Sequence, residues 1–184
     1  MGTVCHVSPH PTMVTSGAFC PAGGRSGAAK RGVSWYSRNV AQAPDASPPF
    51  VLEVRERRLI CARVFRLSER ESARAYARDL GAMCVRIAAH SPVLCADHRP
   101  VLVYAPEVAD ELVRLFTAMN SVLSRIAVLG APTNATLIMQ LGRIIREAGN
   151  PSRQLFTDAA KADEFLGAAL DEPARAALSA FLAG

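Results

Sequence analysis

Two short apolar runs, each followed by an amphipathic helical pattern, constrain the fold of this chain most strongly. Residues 92–97 read PVLCAD and residues 125–131 read RIAVLGA, and neither run alternates with polar residues. Runs of this length are typical of strands that are buried on both faces of a parallel sheet. We therefore expect a largely parallel sheet with helices packed against its faces.

The helices are predicted from apolar residues that recur at spacings of three and four. The first runs from about 69 to 89, and Ser68 with Glu71 forms a capping-box pattern at its start. A second helix begins at Pro106, where the missing proline N–H costs no hydrogen bond. The first helix also carries three arginines on another face, which we interpret as a solvated face rather than an anion-binding stripe: Arg70, Arg74 and Arg78.

The rest of the chain continues the alternation of strands and helices. Asn134 or Thr133 caps a third helix, which ends at residues 149–151, GNP, with a left-handed glycine followed by a proline. A short strand, RQLFTD, follows, and then two more helices that begin at Asp158 and Asp171. These elements support one folded domain over the second part of the chain.

Residues 50–65 read FVLEVRERRLICARVF and are interrupted by a charged stretch in the middle. We predict two strands, about 50–56 and 59–65, joined by a tight turn as a β-hairpin. The full order is β-β-α-β-α-β-α-β-α-α. The predicted fold of residues 50–184 is therefore α/β, a mixed but mainly parallel sheet with an N-terminal β-hairpin and flanking helices.

Residues 1–49 have a different composition from the rest. They hold clusters of Gly, Pro and Ser and no periodic apolar pattern, which predicts a disordered leader. Their few acids suit a transit peptide, but they form no amphipathic helix, so a dispensable leader or a true start at Met13 or later also stays open. Four of the 21 Lys and Arg lie here against one acid, which leaves a net charge of +2 for residues 50–184. This near balance argues against a nucleic-acid partner.

The sequence has no apolar run of about eighteen residues, so we expect a soluble protein without membrane insertion. Its five cysteines show no CxxC spacing, which favours a cytoplasmic location. Cys5, His6 and His10 lie near each other but lack a fourth ligand, so we predict no metal and no cofactor. Three other cysteines lie in apolar runs and should behave as small hydrophobic residues: Cys61, Cys84 and Cys95.

The loop after the third strand holds the candidate functional residues. Asp97 and His98 are adjacent, but neighbours on an extended segment point to opposite sides and form no acid–base pair. The chain contains no G-x-S-x-G, P-loop or Rossmann glycine pattern. Asp97 has a sufficient structural role in capping loop N–H groups, and Arg99 is expected to pair with it. We therefore predict that the protein is not an enzyme.

The element order, the third strand VLCAD with its terminal Asp, and the fourth strand RIAVLGA together resemble the STAS domain. The stretches LSERESARAYARDL, RPVLVYAPEVADELVRLFTAMN and RQLFTDAAKADEFL are similar in spacing to a divergent bacterial branch of that family. The family includes anti-sigma-factor antagonists and the cytoplasmic tails of sulfate transporters. The resemblance covers about residues 50–170.

The resemblance implies a regulatory protein–protein interaction, which phosphoregulated members control through a serine at the start of the helix after the third strand. Here the matching stretch reads Tyr104, Ala105, Pro106 and Glu107, so the serine is missing. Glu107 would also oppose an added phosphate at that helix end. Tyr104 is expected to anchor the loop in the core rather than to accept a phosphate.

Three classes of function follow, of which the first is favoured. It is a non-enzymatic regulatory module that contacts a protein partner through Asp97, His98, Arg99, Tyr104 and Glu107. The alternative is a small-molecule or lipid carrier with its ligand at the strand ends. The third is a hydrolase or transferase that uses the Asp–His pair. A filled core with an exposed apolar patch beside the loop would favour the first class, and a large apolar cavity would favour the second.

Overall fold

The computed structural model describes residues 48–184. The predicted leader and the Cys5, His6 and His10 group lie outside the described residues. Within residues 48–184, none of the helices is long and apolar enough to cross a membrane.

The described chain folds into five strands and five α-helices in the predicted order. The two hairpin strands end one residue earlier than predicted, the third ends at Asp97 as predicted, and the last two end two residues earlier. The first helix ends at Arg86 before a 3₁₀ turn at Ala88–His90. In chain order the elements are β1 (Phe50–Arg55), β2 (Leu59–Val64), α1 (Arg70–Arg86), β3 (Val93–Asp97), α2 (Pro106–Ala118), β4 (Arg125–Leu129), α3 (Ala135–Ala148), β5 (Arg153–Phe156), α4 (Ala159–Gly167) and α5 (Glu172–Ala183).

The sheet is mixed and mainly parallel, with its strands in sequence order β1-β2-β3-β4-β5. The β1 and β2 strands form the predicted antiparallel hairpin, and every other neighbouring pair is parallel. Each crossover leads to the next strand in the same direction. Because such crossovers are right-handed, α1, α2 and α3 all lie on one face of the sheet.

Two hydrophobic cores lie on opposite faces of the sheet. On one face, Leu94 and Ala96 of β3 pack in the core that α1, α2 and α3 cover. On the other face, Val93 and Cys95 pack beneath α4 and α5. Consecutive residues of β3 therefore serve different cores, which explains why the strand is apolar throughout rather than alternating.

The capping box of α1 differs from the prediction by one residue. The N-cap is Glu69 rather than Ser68, and the Oγ of Ser72 accepts a hydrogen bond from the Glu69 N–H at 3.3 Å. The Ser68/Glu71 assignment was therefore wrong, because two overlapping windows both carry a serine and a glutamate three residues apart. The buried stripe of α1 sets the actual start of the helix.

The predicted start of α2 and both predicted ends of α3 are confirmed. The side chain of Asn134 accepts a hydrogen bond from the Leu137 N–H at 3.0 Å and so caps α3. Gly149 ends α3 in the left-handed conformation with a φ of 66°. Pro106 is the first residue of α2. These local signals act within one helical turn, which is why the sequence alone reveals them.

The three cysteines of the folded region are free and buried, as predicted: Cys61, Cys84 and Cys95. Burial raises the pKa of the Cys61 thiol to about 12 and that of Cys84 to about 11. Thiols with raised pKa values are weak nucleophiles, so these side chains fill space in the cores.

Two glycine-to-alanine substitutions should change stability in opposite directions. At Gly149 no atom would touch an added Cβ, but the φ of 66° disfavours an L-residue, so Gly149→Ala should cost about 1 kcal/mol. At Gly81, inside α1, an added Cβ also meets nothing within 4 Å. There alanine should add up to about 1 kcal/mol through helix propensity. Urea midpoints measure both variants, and a shift of the same sign in both would contradict the backbone argument.

Candidate functional site

The candidate site is the connection between β3 and α2, residues 98–105. It leaves the sheet beside Asp97, the last residue of β3, which lies between Arg63 of β2 and Leu129 of β4 in the strand register. The Asp97 side chain is only 2 % exposed. A carboxylate buried to this extent needs partners for its charge, and two arginines supply them.

Arg99 and Arg63 both donate to the Asp97 carboxylate. Arg99 forms a fork, with its Nε 2.9 Å from Oδ1 and its Nη2 2.9 Å from Oδ2, and its backbone N–H donates to Oδ1 at 3.0 Å. Arg63 donates from Nε to Oδ2 at 3.1 Å. Burial opposes ionisation of Asp97, but these donors outweigh it and hold the pKa of the carboxyl below its ordinary value. The predicted pairing with Arg99 and the capping of a loop N–H are confirmed.

The same two arginines anchor the C-terminal helix. Arg63 donates from Nη2 to the Phe181 carbonyl at 2.7 Å, and Arg99 donates from Nη2 to the Leu182 carbonyl at 3.3 Å. The Arg63 guanidinium also stacks 4.7 Å from the centre of the Phe181 ring. The last carbonyls of a helix lack partners within it, so these contacts satisfy the end of α5. Through these arginines, Asp97 fixes α5 to the carboxyl-terminal end of β3. The sequence did not reveal this link.

His98 lies on the other side of the sheet from the Asp97 carboxylate. Its Nδ1 and the Tyr104 hydroxyl share a hydrogen bond of 2.5 Å, and both side chains are buried. Burial lowers the pKa of His98 to about 4, against an ordinary value of 6.5. The imidazole is therefore neutral at pH 7, and the two adjacent residues form no acid–base pair. Burial also raises the pKa of Tyr104 well above its ordinary value.

Polar side chains of α3 hold the loop in place. Gln140 accepts a hydrogen bond from the Tyr104 N–H at 2.9 Å and donates to the Tyr104 carbonyl at 2.8 Å. Asn134 donates to the carbonyls of Val101 and Leu102 at 3.2 and 2.7 Å. Four backbone groups of residues 101–104 therefore have side-chain hydrogen-bond partners, although the segment is neither helix nor strand. The loop is preorganised by α3.

The fixed loop presents two apolar side chains to solvent. Val101 and Tyr104 are 3 % and 1 % exposed and anchor the loop in the core, whereas Leu102 and Val103 are 81 % and 56 % exposed. We call the exposed pair Leu102 and Val103 the loop patch. Leu102 and Val103 thus form a small apolar projection on a backbone that is hydrogen-bonded to Asn134 and Gln140.

The five residues predicted from the sequence as partner contacts divide into two groups. Asp97, His98 and Tyr104 are buried, so their side chains position the loop and do not face a partner. Arg99 is partly exposed, and Glu107 is exposed in the first turn of α2. The residues that the sequence interpretation missed are the loop patch and Gln140. The run VLVY at 101–104 was the available signal, since a loop of this length cannot bury four apolar side chains in succession.

Comparisons of the chain with protein-family models, curated proteins and solved structures found no match. Within residues 48–184, no three His, Cys, Asp or Glu side chains lie together in a way that could hold a metal ion.

Removing the charge of Asp97 should loosen α5 first. Asp97→Asn leaves two guanidinium groups without their buried counter-charge and should cost about 3 kcal/mol of unfolding free energy. Hydrogen exchange should rise more in residues 172–183 than in the β1–β2 hairpin. Glu147→Gln is the control, because its 2.7 Å pair with Arg143 is exposed. That change should leave the free energy of unfolding nearly unchanged. Unchanged exchange in α5 would show that the arginines do not anchor it.

Burial of neutral His98 predicts a pH dependence of stability. The folded-state pKa of about 4 lies below the ordinary 6.5, so the folded state binds fewer protons than the unfolded state between these values. Stability is then fully present above pH 6.5 and falls by about 3 kcal/mol as the pH drops to 4.

Urea unfolding between pH 7 and pH 4 measures this slope. His98→Gln should flatten it, whatever the variant does to stability at pH 7. The same slope in His98→Gln as in wild type would assign the pH dependence to other groups.

Proposed function

We propose that this chain is a non-enzymatic regulatory module of the STAS-like type that binds a protein partner through the loop after its third strand. The observation that carries the proposal is the loop patch, in which Leu102 and Val103 are 81 % and 56 % exposed on a backbone held by Asn134 and Gln140. A rigid apolar projection loses little conformational entropy when it binds, which favours protein contact.

The surroundings of the patch support a protein partner over a reaction. The Asp97 carboxylate is occupied by two arginines, and the His98 imidazole faces the opposite core. Arg99 and Glu107 remain at the rim, where charges of both signs adjust the specificity and association rate of a complex. The element order on which the resemblance to STAS domains rests is the order of the structure. The missing serine in this loop points to control by something other than serine phosphorylation.

A carrier with a ligand at the strand ends has weaker support. At Gly130, just after β4, the Ile138 Cδ1 lies 2.5 Å from the position that an added Cβ would take, so α3 fills the space above that strand end. At the end of β3 the guanidinium groups fill the corresponding space. The free, buried cysteines suit a reducing compartment such as the cytoplasm, and we place the protein there.

Polar replacement of the loop patch tests the proposal. Leu102→Ser combined with Val103→Ser should lower the recovery of co-purifying proteins at least tenfold, because the buried apolar contact is lost. The thermal midpoint should stay within about 2 °C, since exposed positions contribute little to folding. Quantitative mass spectrometry of affinity-purified full chain measures recovery, and circular dichroism measures the midpoint.

Leu102→Met combined with Val103→Ile is the matched control, since it keeps the patch apolar and should keep the same partners. Equal recovery with the serine pair and the wild type would refute the loop as the contact surface. Variants at Tyr104 are unsuitable for this purpose, because its side chain is buried and its loss would impair folding.

A further inference from the structure

A second surface feature lies on the outer side of the layer formed by α1 and α2. An apolar groove of about 480 Å³ runs between these helices. Cys84, Leu115 and Met119 form its floor, and each of the three is less than 10 % exposed. Val85 at the rim is 72 % exposed. The floor residues belong to the core on this face of the sheet, and Val85 adds exposed apolar surface beside them.

Gly81 makes the middle of the groove accessible. It lies within α1, lines the groove, and has no atom within 4 Å of the position that a Cβ would take. A glycine inside a helix costs about 1 kcal/mol relative to alanine. Here the missing side chain leaves an open channel between the helices instead of allowing a close helix–helix contact.

Arginines surround one end of the groove. Glu111 of α2 is 10 % exposed and pairs with Arg114 at 2.8 Å, Arg74 at 3.2 Å and Arg70 at 3.6 Å. Arg78 pairs with Asp79 at 3.2 Å. The predicted solvated arginine face of α1 is therefore a cluster shared with α2. Within these ion pairs, four guanidinium groups share two carboxylates.

The exposure of these arginines leaves them able to bind another anion. Their side chains are 49–68 % exposed, and three of them share a single carboxylate. A guanidinium group has five donors, so each can accept another carboxylate partner without giving up Glu111 or Asp79. An apolar groove with arginines at one end fits an occupant that has an apolar face and acidic residues next to that face.

The dimensions of the groove favour a helix as that occupant. The lining residues of α1 run from Ala77 to Val85, which is a little over two helical turns, or about 12 Å. A helix places anchors at i, i+3, i+4 and i+7 over a similar length. The groove is open along its side, as a helix requires, whereas an acyl chain is better held in an enclosed tunnel.

We infer that the α1–α2 groove binds an acidic amphipathic helix of a protein partner, with apolar anchors over Gly81 and carboxylates against the arginine cluster. This surface is distinct from the loop patch, which α3 holds. It is a second contact region, and its failure would leave the proposed function of the loop untouched.

Selection from a peptide library tests the inference. A displayed library of helix-forming 14-residue peptides is selected against the full 184-residue chain and, separately, against Gly81→Trp, which fills the groove. The peptides enriched by the wild type should carry apolar residues at helical spacing with Glu or Asp beside them. The Kd of the best peptide, measured by fluorescence anisotropy, should be at least tenfold weaker for Gly81→Trp. Gly81→Ala is the control and should bind within about threefold of wild type.

Charge reversal tests the arginine cluster separately. Arg78→Glu combined with Arg114→Glu should weaken the acidic peptide at least tenfold and favour a version with Lys in place of its acids. Leu102→Ser combined with Val103→Ser should leave the affinity unchanged. No enriched family of peptides, equal binding to Gly81→Trp, or enrichment without acidic residues would each overturn the inference. Binding of dodecanoate that Gly81→Trp abolishes, without peptide enrichment, would replace it with a lipid site.

Discussion

The organisation of this domain depends on the ion pairs that the Asp97 carboxylate forms with Arg63 and Arg99. It ends the central strand β3, accepts from arginines of β2 and of the following loop, and through them holds the last carbonyls of α5. A buried charge is costly, so a sheet that buries one must supply its partners in a fixed geometry. That requirement ties β2, the loop after β3 and α5 to one point at the carboxyl-terminal end of β3.

The consequence for function is a division of labour within one loop. The residues with ionisable side chains, Asp97, His98 and Tyr104, are buried, and each forms a hydrogen bond with another of them or with a neighbour. The residues that reach solvent, Leu102 and Val103, have no reactive group. This contrast between buried ionisable groups and exposed apolar ones is the physical basis for proposing an interaction module.

The fold also explains the groove between α1 and α2. Because the strands follow one another in sequence order, three helices lie side by side on the same face of the sheet. Their inner sides fill the core, and their outer sides form a ridged surface whose grooves depend on the side chains between neighbouring helices. A glycine at position 81 and arginines on both helices convert one such groove into an apolar channel with a basic end. The loop patch and the groove therefore arise from the same topology but are formed by different residues.

Local patterns in the sequence determined the element order, the α/β class and most helix ends. Strand burial, helical periodicity, the Asn134 cap and the Gly149 stop all act within a few residues, so they can be recognised without knowing what packs against them. The pairing of Asp97 with Arg99 was also accessible, because the two residues are two positions apart. The start of α1 was placed one residue early, since two overlapping capping patterns compete and only the buried face of the helix decides between them.

Only the tertiary structure decided which loop residues reach solvent. The loop residues 101–104 are all apolar or aromatic. Which of them are exposed depends on backbone hydrogen bonds with Asn134 and Gln140, which lie more than 30 residues away in the chain. Arg63 likewise joins Asp97 because β2 and β3 pair in parallel register. Such contacts follow from how the crossovers bring distant segments together, and a local pattern carries no record of them.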